Sequence, residues 1–220
     1  MRVTRIIVGV IFFPAALLLP AGRIDWLAAW VLLIVFFSAV VFLRVWIARR
    51  NPGLLKERLH HTPDVEKWDT ILMGFYPGFL LGMLVVSALD SGRFGWSSMP
   101  MGVRIFGWIG LAVALTTVFW VMSVNPFASR WMRIQEDRGH EVIKVGPYRY
   151  VRHPMYVGVI IFVICCPMVL GSWWGILPGA AAGFLFVFRT ALEDRTLLIK
   201  LPGYKDYASR VRYRLLPGVW

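Results

Sequence analysis

Gly146-Pro147-Tyr148-Arg149-Tyr150-Val151-Arg152-His153-Pro154-Met155-Tyr156-Val157-Gly158 carries two arginines, a histidine and three tyrosines, then opens into an uncharged stretch from Val157 to Phe188. Polar groups this dense at the mouth of an apolar segment are costly unless they hold something polar there. The stretch therefore reads as the floor of a ligand pocket at a membrane–water boundary. Gly146-Pro147 makes a turn. Pro154 suits the first turn of the next helix, where its missing N–H costs nothing. Backbone N–H groups at that helix start are left to meet an anion, with His153 just outside. A basic interface belt would need only the residue types. The two glycines and two prolines that accompany them favour a binding site.

Composition sets the class around this motif. The chain has 220 residues, 58% hydrophobic and 16% charged, with a mean hydropathy of +0.65. Soluble domains carry about a quarter charged residues, so an all-α, polytopic membrane helical bundle is expected. Apolar runs fall at Ile6–Pro20, Trp26–Ile47, Ile71–Leu89, Val103–Val124, Tyr156–Leu170 and Trp174–Leu192. Crossing a bilayer core takes roughly 20 apolar residues. The second, third and fourth runs meet that length; the first is short, and the last two read as a tight helical hairpin. Five or six transmembrane helices result, followed by a cytoplasmic carboxyl-terminal helix. Residues 1–124 are expected to hold the amino-terminal membrane helices with a cytoplasmic loop at 49–70, and residues 125–220 the region that carries the candidate site.

The net charge of +12 does not point to nucleic acid, because the charges sit in short loops between apolar runs. If the amino terminus, Arg44–Asp69, Arg130–Arg152 and Arg189–Trp220 share one side, that side holds 21 of the 24 lysines and arginines. The positive-inside rule makes it the cytoplasmic side, with both termini and every motif described here. Arg2 and Arg5 before Ile6–Leu19 resemble a signal peptide, but a second apolar run follows at once, so a retained first helix is expected. Cys165 and Cys166 are adjacent inside an apolar run and read as packing residues. Gly74/Gly78/Gly82 and Gly171/Gly175/Gly179/Gly183 have the four-residue spacing of a helix-packing face, serving packing within the chain or a homodimer. Asn51–Thr70 is turn-rich, including His60-His61-Thr62-Pro63, with a short surface helix between turns.

Three further groups converge on the same side. Arg133–Ile143 reads as a turn followed by a short extended piece. Arg189 and Glu193 lie four apart on one helical face, and Arg189 ends an uncharged run, where an unpaired guanidinium is expensive. Tyr204, Tyr207 and Arg210 share a stripe that docks the tail helix over the pocket as a lid.

Gly-Pro-Tyr-x-x-x-Arg-His-Pro-x-Tyr-x-Gly, then Arg-x-x-x-Glu, then Tyr-x-x-Tyr-x-x-Arg-Val before Leu216-Pro217, resembles the isoprenylcysteine carboxyl methyltransferase family, whose wider relatives act on phospholipids and thiols. The likeness is strong over Gln135–Pro217, and Asn51-Pro52 to Trp68-Asp69 and Asn125-Pro126 look like bacterial members. The resemblance implies S-adenosyl-L-methionine bound in a cytoplasmic pocket between the last membrane helices and the tail. Carried over by position, Gln135, His140, Glu141, Val142, Ile143, Tyr148, His153, Pro154, Met155, Tyr156 and Glu193 contact the cofactor. Arg189 and Glu193 are the catalytic pair, Arg189 facing the substrate and Glu193 a cofactor donor such as its ammonium. The family's acidic cluster after the arginine is reduced here to Glu193-Asp194.

Methyl transfer from a sulfonium needs positioning and a dry site more than proton transfer, which suits residues without a nucleophile–base pair. Tyr148 and Tyr156 offer π faces for the sulfonium and adenine. The acceptor is lipidic or apolar: an isoprenylcysteine carboxylate, a phospholipid amine, another isoprenoid or fatty acid, or a small thiol. An amine or thiol would need a base, for which His153 or Glu193 is placed. No Gly-x-Gly loop on a strand–helix unit is present, and His60/His61 lack metal-ligand spacing. The other readings are an NADPH-dependent membrane reductase with a similar carboxyl-terminal bundle, and a non-enzymatic scaffold or transporter. The last predicts polar residues at mid-membrane, where the runs hold little beyond hydroxyls such as Ser38, Ser87, Thr116 and Thr117.

Overall fold

A computed structural model describes residues 2–59 and 64–220, with side chains from residue 9 onward. The His60-His61-Thr62-Pro63 turn lies outside the described residues. Eight α-helices follow one another: α1 Arg2–Ala21, α2 Leu27–Arg50, α3 Pro52–Leu59, α4 Lys67–Ser87, α5 Met101–Val124, α6 Pro154–Leu170, α7 Ile176–Lys200 and α8 Tyr204–Arg210. A π-helical turn, Ala88–Phe94, extends α4. The described residues contain no strand.

Four segments have the length and apolarity to cross a bilayer: 27–50, 67–94, 101–124 and 176–200. The apolar part of α1, Gly9–Ala21, and α6, with 17 residues, are shorter. The protein is thus a polytopic membrane bundle of four long spans and two shorter helices, with α6 and α7 forming the expected hairpin. Large side chains such as Phe75, Phe106 and Phe184, each more than 60% exposed, face outward where lipid would lie.

The α6 helix is apolar on every side because it is surrounded. Val163 and Val169 are fully buried in it, and it packs between α5 and α7 with α2 and α4 nearby. Small residues set these distances. A Cβ on Gly110 would sit 2.3 Å from Cys165 Sγ, which explains the cysteine as a packing residue. A Cβ on Gly179 would sit 2.4 Å from the Val163 carbonyl oxygen, a backbone atom that cannot move aside. Gly179→Ala is therefore expected to destabilise the hairpin by about 1–3 kcal/mol, read as a lower midpoint of thermal unfolding in detergent; an unchanged midpoint would refute the close approach.

The glycine ladder is corrected in one respect. Gly171 caps the end of α6 at φ +84° and Gly175 precedes α7, so these two belong to the turn and not to a helix face. Gly179 and Gly183 alone lie on α7, where they serve packing within the chain. Asn51-Pro52 starts α3 as the sequence suggests: Asn51 Oδ1 accepts from the Leu54 N–H at 3.0 Å, and Pro52 fills the first helical position. Leu54, fully buried, then clusters with Ile47 and Val121 and pins α3 beneath the ends of α2 and α5.

Candidate active site

The pocket forms where the segment after α5, the start of α6, the end of α7 and the tail meet. Its floor depends on an acid far from Arg189 in sequence that meets it in space. Asp69, in the first turn of α4 and fully buried, accepts from Arg189 Nε at 2.7 Å and Nη2 at 3.0 Å, and from the Met132 N–H at 2.7 Å. Arg189 is thus paired across 120 residues, and the pairing with Glu193 that helical spacing suggests is replaced by this bidentate one. The guanidinium also lies 5.1 Å from the Tyr156 ring centroid. The Tyr156 face expected for a ligand cation is therefore covered on that side by Arg189.

Glu193 and Asp194, adjacent on α7, divide two tasks. Asp194 is fully buried and saturated: Oδ1 accepts from Arg152 Nε and the Tyr204 hydroxyl, each at 2.8 Å, and Oδ2 accepts from Arg152 Nη2 and Arg214 Nε, each at 2.8 Å. Glu193 takes only the Tyr156 hydroxyl on Oε2, with His153 Nδ1 3.6 Å from Oε1. Glu193 lines the pocket. His153, the residue before α6, sits between both carboxylates. Burial opposes its charge, but Asp194 and Glu193 outweigh burial and hold the imidazole above its ordinary range. The helix start is not left free as expected, since the Tyr156 N–H already donates to the His153 carbonyl at 3.1 Å.

The tail closes one side. Tyr207 donates to the Tyr148 carbonyl at 2.8 Å, and the backbone of Arg152 and His153 donates to the carbonyls of Tyr213 and Arg214 at 3.0 and 2.9 Å. Arg152 Nη1 reaches the carbonyls of Val211 and Arg212, each at 2.9 Å. Tyr204 and Tyr207 dock as the stripe predicts; Arg210, the third member, is exposed and takes no part in the docking.

The opposite wall is the irregular segment Asn125–Arg130, whose carbonyls are capped by side chains. Pro126 takes Arg138 Nη2 at 2.9 Å, Phe127 takes Gln135 Nε2 at 2.8 Å, Ala128 takes Arg58 Nη1 at 2.7 Å and Arg130 takes Arg189 Nη2 at 3.1 Å. Asn125 Nδ2 donates to the Tyr148 hydroxyl at 2.6 Å. Arg133 is anchored by Glu57, at 2.8 and 2.9 Å, and by Asp137. His140 completes the wall against the Phe127 ring at 4.6 Å, its Nδ1 accepting from the Gln135 N–H at 3.2 Å. Beyond it, the backbone N–H groups of Glu141, Val142 and Ile143 donate to none of the described residues.

Burial holds His140 down to about 4, Arg133 and Arg138 adding to it against Glu193, so it is neutral at pH 7. Between about 6.5 and 4 the unfolded chain binds a proton at this site that the folded one refuses, and stability falls as pH falls through that window. Unfolding midpoints measured across it should drop for the wild type and drop less for His140→Ala; equal slopes would remove His140 from the acid response.

All the expected cofactor residues line this pocket except Pro154, which is buried at the first position of α6 and shapes the helix start alone. Gln135 lines it with its amide already engaged at both ends, by Phe127 and Arg138. The pocket holds about 760 Å³ of empty space, counting its mouth and the solvent beyond it. Sequence reasoning missed Asp69, Arg152 as the partner of Asp194, and Trp131, Leu197 and Leu201 in the lining. The lone carboxylate of Asp69 at the head of an apolar run was the available signal.

Residues 108–199 match the model of the isoprenylcysteine carboxyl methyltransferase (ICMT) family. The chain is similar to the protein-S-isoprenylcysteine O-methyltransferase of Dictyostelium discoideum, 24% identical over 182 residues that cover 80% of this chain and 71% of that protein. The Schizosaccharomyces pombe protein of the same name is 23% identical over 164 residues, 66% of this chain and 69% of that one. The methanethiol S-methyltransferase of Mycobacterium tuberculosis is 30% identical over 116 residues, 50% of this chain and 46% of that one. The match to the ICMT model, the O- and S-methyltransferases among the relatives and four membrane-length helices together support a membrane methyltransferase. Asp69 and Glu57, which hold Arg189 and Arg133, lie outside the ICMT segment.

Proposed function

We propose that this chain uses S-adenosyl-L-methionine to methylate a lipidic or apolar acceptor that enters from the bilayer. The observation that carries the reading is Glu193: a carboxylate lining the pocket that meets the Tyr156 hydroxyl and His153 but, among the described residues, no arginine or lysine. The residues fit a charged nucleoside of this kind. Glu193 would take its ammonium, and the free N–H groups of Glu141–Ile143 suit a heteroaromatic acceptor. The uncharged His140 and Tyr148 walls suit an adenine; burial pushes the Tyr148 phenol up, so it too is neutral.

When bound, the cofactor supplies a methyl group already activated on a sulfonium, so the chemistry asks for alignment and exclusion of water. Tyr156 fixes the Glu193 carboxylate by donating to it, and Arg189, held rigid by Asp69, walls the acceptor side without offering a mobile charge. The tail keeps water from the buried side. The pocket opens at the end of the bundle that carries the basic loops, which we take as cytoplasmic.

Calorimetric titration of the detergent-purified protein with S-adenosylhomocysteine, with NADPH as control, tests the reading. Micromolar binding of the first alone is expected. Binding of NADPH alone would replace it with a reductase, and binding of neither would remove the cofactor site.

A further inference from the structure

The membrane segment 67–94 carries a fully buried acid near each end. Asp69, at the active-site end, is answered by Arg189. Asp90, in the π-helical turn at the far end, is answered by no cation among the described residues. Arg93, three residues on, and Arg104, which lies beside Gly171, belong to the same end of the bundle but form no ion pair with it.

The two oxygens of Asp90 differ. Oδ2 accepts from the hydroxyls of Ser97 and Ser172 at 2.5 and 2.6 Å, and from the Trp174 N–H at 3.4 Å. Oδ1 has no hydrogen-bond partner among the described residues, and neither has the Oγ of Ser87, three residues earlier and also fully buried. Gly175 lets these groups converge. A Cβ there would sit 2.0 Å from Ser87 Oγ and 3.1 Å from Ser172 Oγ, so any larger residue would displace the hydroxyls. Its N–H donates to Ser172 Oγ at 2.8 Å, and Ser91 Oγ donates to the Leu170 carbonyl at 2.7 Å, so the end of α6 and the start of α7 are bound to this cluster.

A carboxylate taken into a membrane segment needs a counter-charge. Water bridging Asp90 Oδ1 and Ser87 Oγ would satisfy both hydrogen-bonding groups and leave the charge. A divalent ion would overshoot, replacing one buried negative charge with one buried positive charge. One carboxylate among uncharged oxygens suits a hard monovalent ion.

We propose that Asp90 and Ser87 bind a monovalent cation of the sodium class, through Oδ1 and Oγ, at the end of the bundle away from the methyl-transfer pocket. The ion ties the π-helical turn to the turn between α6 and α7. Tyr156 stands at the other end of α6 and Arg189 and Glu193 toward the other end of α7, so the ion braces the hairpin on which the pocket is built. Asp90 and Ser87 precede residues 108–199, whereas Ser172 and Gly175 lie within them.

Thermal unfolding of the full-length protein in neutral detergent tests the site, with sodium chloride titrated against choline chloride at constant ionic strength. The midpoint should rise saturably, by about 3–6 °C when sodium exceeds its dissociation constant tenfold. Lithium should act likewise. Asp90→Asn can still accept from Ser97 and Ser172 and should abolish the response. Ser87→Ala, which removes a hydroxyl without a partner, should fold normally and need about tenfold more sodium for the same rise. It decides the matter if Asp90→Asn does not fold. A midpoint indifferent to sodium, as a bridging water or a proton on Asp90 would give, overturns the site. So does a response that either variant keeps at wild-type sodium concentrations, which would be a general salt effect. Calcium raising the midpoint more than sodium would overturn the monovalent assignment.

Discussion

Asp194→Ala is expected to release the carboxyl-terminal tail and cost about 3–5 kcal/mol of stability, the loss typical when one partner of a buried ion pair is removed. Asp194 is fully buried and joins two arginines, a tyrosine and a histidine from three separate stretches of chain. Without it the Arg152 guanidinium, 7% exposed, keeps its carbonyl contacts but loses its counter-charge. Arg214 and Tyr204 lose their anchor, so α8 and the strand-like piece after it should become protease-sensitive. Limited proteolysis and unfolding midpoints in detergent would read both effects. A wild-type cleavage pattern in the alanine variant would show that the apolar cluster of Leu197, Leu201, Tyr204 and Tyr207 holds the tail without Asp194.

One residue earlier, Glu193→Gln should do the reverse. Tyr156 can still donate to the amide oxygen, the side chain keeps its size, and the fold is expected to survive within about 1 kcal/mol. What goes is the negative charge the proposed cofactor would meet. Losing one charge-assisted contact of about 1.5–3 kcal/mol predicts a roughly 10- to 100-fold weaker affinity for S-adenosylhomocysteine. Calorimetry on the folded variant checks it. Unchanged affinity would move the ligand's cationic end elsewhere in the pocket. Together the two substitutions separate a carboxylate that builds the site from one that serves it, although the residues are adjacent and chemically alike.

Much of this was legible in the sequence. The hydropathy runs gave the bundle and the short α6–α7 hairpin, because lipid leaves a helix no alternative to apolar length. Five residues of the Gly146–Gly158 stretch (Tyr148, Arg152, His153, Met155 and Tyr156) line one pocket, because polar groups crowded at a helix mouth must find polar partners. What escaped were pairings across the chain. Helical periodicity proposed Glu193 for Arg189, since spacing of four is visible locally, whereas Asp69 is 120 residues away and meets Arg189 only after α4 and α7 pack. The same holds for Arg152 with Asp194, and for Gly171 and Gly175, whose spacing copied a helix while their backbone made a turn. Pro154 shared a motif with true lining residues because it shapes the backbone that presents them.

The capped carbonyls of Asn125–Arg130 bear on when this protein becomes competent during synthesis. Non-helical backbone at a membrane boundary persists only where its polar groups find partners. Here those partners arrive in stages: Arg58 is made before the segment, Gln135 and Arg138 just after it, and Arg189 some 60 residues later. A nascent chain arrested after α6 therefore has one pocket wall half set, with Asp69 still awaiting its counter-charge. Ligand affinity should appear abruptly once α7 and the tail that closes the pocket have left the ribosome, as a late checkpoint on assembly.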